Sequence, residues 1–115
     1  MNWFVAKIVF QIISGEGSHL AQFDEQLRLI NADDEKQAYE KAKSIGLQNE
    51  ESFLNDQKQN VKWKFIDVAE LNALDAIADG TELYYQIHET ENAELYIKWA
   101  HHKGSLINMT TAAGY

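Results

Sequence analysis

QFDEQLRLI, residues 22–30, alternates in the manner of a β-strand, and the way its two faces are assigned decides the fold. Phe23, Leu27 and Leu29 fall on one face, and Glu25 interrupts that apolar row. Successive strand residues point to opposite sides of a sheet, so Asp24, Gln26 and Arg28 take the other face. The preceding stretch, residues 3–13, alternates as well. Phe4, Ala6, Ile8, Phe10 and Ile12 form a wholly apolar face, opposite Trp3, Val5, Lys7, Val9 and Gln11. Between the two lies SGEGSH, a turn by its glycines. A hairpin is therefore expected, its register set by burial of one face. Pairing the apolar face of the first strand with Phe23, Leu27 and Leu29 sends Lys7, Gln11, Asp24, Gln26 and Arg28 to the opposite side.

Working outward, NADDEKQAYEKAKSIG (31–46) has acids at its start and Gly46 at its end, the signals of a capped helix that stops at a left-handed residue. Ala38, Ala42 and Ile45, with Tyr39 beside them, make its buried stripe. A helical turn is expected around Phe53 and Leu54. VKWKFIDV (61–68) is a strand by the alternation of Val61, Trp63 and Phe65 with Lys62 and Lys64. Residues 69–78 read equally as a helix, through Leu71, Leu74 and Ile77, or as a bulged continuation of that strand. Asp79-Gly80 turns the chain into a fourth strand, TELYYQIH, with Leu83, Tyr85 and Ile87 inward. ENAELYIKWAHHKG then reads as a second helix ending at Gly104. The fold class is α+β: one two-layer domain over residues 1–104, order ββαββα, a four-stranded mainly antiparallel sheet with helices on one face. Residues 105–115 show no period and are expected to form a flexible tail.

Four pieces of the chain resemble a bacterial family, the domain of unknown function 4288: NWFVAKIVFQI, QFDEQLRLINADDEKQAYEKAKSIG, NVKWKFIDVAEL and DGTELYYQI. They occur in the family's order across residues 2–100, and FDEQ (23–26) is the most specific of them. The resemblance implies a small, stand-alone, cytoplasmic bacterial protein. It singles out Glu25 and Gln26 and supplies no catalytic residue to carry over.

Composition narrows the function classes. The 115 residues contain no cysteine, so disulfides and thiolate metal sites are excluded. Ten basic residues against eighteen acidic ones give a net charge of −8, and no basic face is available for nucleic acid. No apolar run is long enough for a membrane helix. Asp24 and Glu25 point to opposite faces and cannot act as a carboxylate pair. His101 and His102 are adjacent and do not have chelate spacing, and His19 and His88 stand alone. Neither a serine nucleophile in its usual turn nor a phosphate loop is present. No catalytic residue, metal or cofactor is expected.

Two readings follow. The leading one is a cytoplasmic, non-enzymatic homodimer, a binding or protein-interaction module, immunity-like in its acidity, with Trp3, Val5, Val9 and Ile30 as the interface on the open sheet face. The alternative is a small-molecule-binding domain or enzyme with a polar pocket at the hairpin, built from Glu25, Gln26, Lys7 and Arg28. For Glu25 itself three roles compete: the partner of an internal cation or donor, a solvated rim residue, or a binding group. Lys7 is disfavoured as that cation, because it is assigned to the other face; Lys41 on the helix above, or Arg28 in a different register, is a candidate.

Overall fold

The computed structural model describes residues 1–112. The chain divides into two compact units, Met1–Tyr85 and Gln86–Tyr115, where the sequence suggested one domain to residue 104. The first unit holds four strands and a helix: β1 (Asn2–Ser14), β2 (Gln22–Ala32), α1 (Glu35–Gln48), β3 (Glu51–Leu54) and β4 (Asn60–Leu74). The second holds α2 (Ala93–Ala112). The element order is ββαββα, and every strand pairing is antiparallel, in the sheet order β2-β1-β4-β3. The fold is α+β, as its sequence implies.

Phe4, Ala6, Ile8 and Phe10 of β1 are buried with Ile30 and Ala32 of β2 and with Ala38 and Ala42 of α1. The small alanines let the helix lie close on the sheet. Ile45, Trp63, Phe65, Val68 and Leu71 pack around this core, and Phe65 meets Phe10 edge-on at 6.1 Å between centroids. Asp34 caps α1 by accepting from the Gln37 N–H at 2.8 Å, and the Gln37 side chain accepts in return from the Asp33 N–H.

Gly46 is not the helix stop. It lies inside α1, where a Cβ would fall 2.4 Å from the Phe65 ring and 3.2 Å from Ile8. The glycine serves close approach, and the helix ends at Asn49, whose side-chain amide donates to the Ile45 carbonyl.

The hairpin register inverts the expected faces of β2. Phe4 opposes Ile30, Ala6 opposes Arg28, Ile8 opposes Gln26 and Phe10 opposes Asp24. The polar residues Asp24, Gln26 and Arg28 therefore share the helix-covered face, while Phe23, Glu25, Leu27 and Leu29 join Val5, Lys7 and Val9 on the other. What decides the phase is the end of β2, where Ile30 and Ala32 must reach the core under α1. The helix covers only that end, so alternation farther along the strand carries no burial signal.

Between Trp63 and Leu74 the pairing of β4 with β1 slips twice, between Lys7 and Ile8 and between Val9 and Phe10. Ile66 and Ala69 are the extra residues of two β-bulges. Of the two readings of residues 69–78, the bulged strand holds as far as Leu74. Phe53 and Leu54 form β3 and not a helical turn, stacking Phe53 on Trp63 at 5.8 Å. Residues 81–88 form no strand; Leu83, Tyr85 and Ile87 are exposed, and Tyr84 is half-buried. In the second unit, Asn92 caps α2 through the Leu95 N–H, and the helix continues through Gly104 to Ala112. The tail expected from residue 105 is thus helical as far as it is described, and residues 113–115 lie outside the described residues. Tyr96 and Trp99 lie 5.6 Å apart along α2, with Lys103 over the Trp99 ring.

Candidate functional site

The sheet separates the four residues expected around one pocket. Lys7 and Glu25 project from the open face, Gln26 and Arg28 from the helix-covered face, and no common site joins them. Each pair belongs to a cluster that the sequence did not single out.

On the open face, the central position of β1 places Lys7 between β2 and β4. Its Nζ lies 3.4 Å from Glu70 Oε2 and 4.0 Å from Glu25 Oε1, and it donates to the Tyr84 hydroxyl at 3.0 Å. The same ammonium sits 4.6 Å from the centre of the Tyr84 ring. The Lys7 side chain is 14% exposed against 61% for Glu25, so the lysine is enclosed and the glutamate is largely in water. Glu70 Oε2 is buried and has the Lys7 ammonium as its neighbour. The hydrogen bond to Tyr84, aided by the charges of Glu25 and Glu70 and opposed by desolvation, holds the Lys7 pKa above the ordinary lysine value. Such an amine stays protonated and is not a nucleophile at neutral pH. The cluster is an anchor that ties residues 82–85 to the sheet. Glu25 is largely solvated at the rim, and the cation within ion-pair reach of it is Lys7, the candidate disfavoured on a register one residue out of phase.

On the helix-covered face, Arg28 donates twice to Gln26 Oε1, at 2.7 and 3.1 Å, and Gln26 donates to Asp24 Oδ2 at 2.6 Å. The Trp63 indole donates to the same oxygen from β4 at 3.2 Å. This chain runs along β2 where α1 no longer shields it, and Asp24 has two donors. Gln26, Arg28, Asn49, Glu51 and Trp63 line a cleft of about 120 Å³, well below the roughly 300 Å³ at which small-molecule sites begin. A larger trough of about 560 Å³ runs between Glu70–Ala73 and Glu82–Tyr85, walled largely by exposed side chains. Between α1 and β4, at the surface, Tyr39 donates to Asp67 at 3.2 Å, and that bond to a carboxylate raises the Tyr39 pKa.

The expected interface residues are also redistributed. Ile30 is 2% exposed, in the core against Phe4, because the register turns it toward the helix. Val5 is buried, Val9 half-buried and Trp3 exposed, all on the open face. Phe23, Leu27 and Leu29 join them there, each about half exposed. Beyond the turn, the Ser14 N–H donates to His19 Nε2 at 3.0 Å, so the glycine loop is closed by a histidine. Among the described residues, no group of three or more His, Asp or Glu side chains could hold a metal ion, and no helix is long and apolar enough to cross a membrane.

A family model described as Domain of unknown function (DUF4288) matches residues 3–85, nearly the same span as the first compact unit. No curated protein and no solved structure matches the chain.

Proposed function

This chain belongs to the DUF4288 family across its whole sheet-bearing unit, and we propose that the unit is a non-enzymatic homodimeric interaction module of the bacterial cytoplasm. The observation that carries this reading is the strip Phe23, Leu27 and Leu29, three large apolar side chains left half exposed on one outer strand. Large apolar side chains gathered on one exposed face of a folded domain mark a place where another surface docks. The charged groups nearby support the same reading. Lys7 is held by Glu70 and Tyr84, and Arg28, Gln26, Asp24 and Trp63 bond to one another, so both sets are engaged within the chain.

The test is sedimentation velocity of the full chain over a concentration series. The wild type is expected to sediment as a dimer, and Leu29→Lys to move the equilibrium toward monomer with an unchanged far-UV spectrum. A wild type that remains monomeric at high concentration sinks the reading.

A further inference from the structure

We infer that the dimer forms edge to edge, β2 pairing antiparallel with β2 of a second copy about a twofold axis at Gln26, which joins two four-stranded sheets into one. This rests on the homodimer reading and specifies its geometry.

The two rims of the sheet are built differently. One rim is formed by the four-residue β3, which covers only Asn60–Trp63 of β4, and beyond it by β4 itself, which carries Lys64 and two bulges; shortness, lysine and bulges each protect an edge. β2, at the other, is eleven residues long, its ladder with β1 has no register shift, and it contains no proline, glycine or lysine. Its outer rim has no strand partner among the described residues. A long, regular, partly apolar rim strand with neither bulge nor proline is a template for another strand, and the charges it carries at Asp24, Glu25 and Arg28 restrict which strand it accepts.

The sequence of β2 is complementary to itself in one register. With Gln26 opposite Gln26, Asp24 falls opposite Arg28 twice, once on each side of the axis, and Phe23 falls opposite Leu29 twice. Cross-strand pairs of opposite charge and of large apolar groups are the units that stabilise a sheet. The favoured register also sets Glu25 against Leu27, but shifting the axis one residue, to Leu27, puts Arg28 against Gln26, Asp24 against Ile30 and Phe23 against Asn31 and loses both complementarities. A twofold axis requires the surface to match itself, and the charges of Asp24 and Arg28 do so only in the first arrangement. The same pairing covers Phe23 and Leu29 on both copies.

Absence of cysteine makes the test direct. Opposed Cα atoms in an antiparallel pair lie roughly 4.5–5.5 Å apart, within the range a disulfide spans. Under mild oxidation Gln26→Cys should cross-link to a covalent dimer, while Ser52→Cys on β3 should not. Arg28→Glu, which sets Glu against Asp24 at both sites, should weaken dimerisation roughly tenfold, and since Arg28 is exposed the fold should hold. A wild type that sediments as a dimer while Gln26→Cys fails to cross-link overturns the edge pairing and leaves the homodimer standing. A monomeric wild type overturns both.

Discussion

Lys7 Nζ lies 3.4 Å from Glu70 Oε2 across the β1–β4 ladder, whereas Glu25, on the opposite neighbouring strand, reaches it only at 4.0 Å and with most of its side chain in water. The two acids are thus unequal partners. Exposed ion pairs contribute well under 1 kcal/mol, so Glu25→Gln is expected to cost less than about 0.5 kcal/mol. Glu70→Gln should cost more, about 1 kcal/mol, because it weakens a charge-assisted contact at a buried oxygen. Urea midpoints of the two variants rank them, and a larger loss from Glu25→Gln would refute the assignment.

Alkaline pH should loosen the first unit. Lys7 and Tyr39 both titrate above their ordinary values in the folded chain, Lys7 chiefly through Tyr84 and Tyr39 chiefly through Asp67. A raised folded pKa means that the unfolded chain releases its proton first. The stabilisation is therefore complete below about pH 10 and lost as pH rises through the folded values. Tyr84→Phe should flatten the lysine part of this decline. Urea unfolding between pH 8 and 11.5 measures it, and a wild-type midpoint independent of pH would contradict both shifts.

Gly46→Ala sets two effects against each other. Alanine gains about 1 kcal/mol in helix propensity, but its methyl would sit 2.4 Å from the Phe65 ring, and overpacking typically costs about 1–3 kcal/mol. Packing should win, leaving a net loss of roughly 1 kcal/mol. Phe65→Leu combined with Gly46→Ala should recover part of it in a double-mutant cycle. A stabilised single variant would mean that the helix lifts from the sheet without cost.

The fold class, the hairpin and α1 were legible because each rests on a strong local signal: alternation in β1, the Asp34 cap, the tryptophan strand; the order ββαββα also holds, but its last two strands are β3 and β4 and not residues 61–68 and 81–88. The faces of β2 were not legible. Phe23, Leu27 and Leu29 are the more apolar row, yet the helix covers only the far end of the strand, and Ile30 with Ala32 decides the phase there. That single inversion separated Lys7 from Glu25 on paper and grouped it with Gln26 and Arg28. Glu70 and Tyr84 could not have been found by spacing, since they reach Lys7 from 63 and 77 positions away. Residues 81–88 alternate convincingly, but Tyr84 binds through its hydroxyl to Lys7 and the segment pairs with no strand.

The first unit should fold without α2. Its core residues all lie between Phe4 and Leu71, and the family match ends where the unit ends. Residues 1–85 expressed alone are expected to unfold cooperatively in urea and to keep the near-UV signal of Trp3 and Trp63. Non-cooperative unfolding would show that α2 is required.

The paired bulges of β4 act like two compensating frameshifts. Core-facing residues in the strand run Val61, Trp63, Phe65, then Val68, then Leu71 and Ala73, so Ile66 throws the alternation out of phase and Ala69 restores it. The interval of three from Phe65 to Val68 to Leu71 is what imitates a helix in the sequence. Heritable length changes in this strand are constrained accordingly. Losing Ile66 or Ala69, singly or together, would remove a bulge and leave every paired residue on its present face, with Glu70 still opposite Lys7. Losing a paired residue such as Asp67 or Val68 would instead turn its neighbours to the wrong face. Descendants of this chain can therefore shorten β4 at the two bulges more readily than between them.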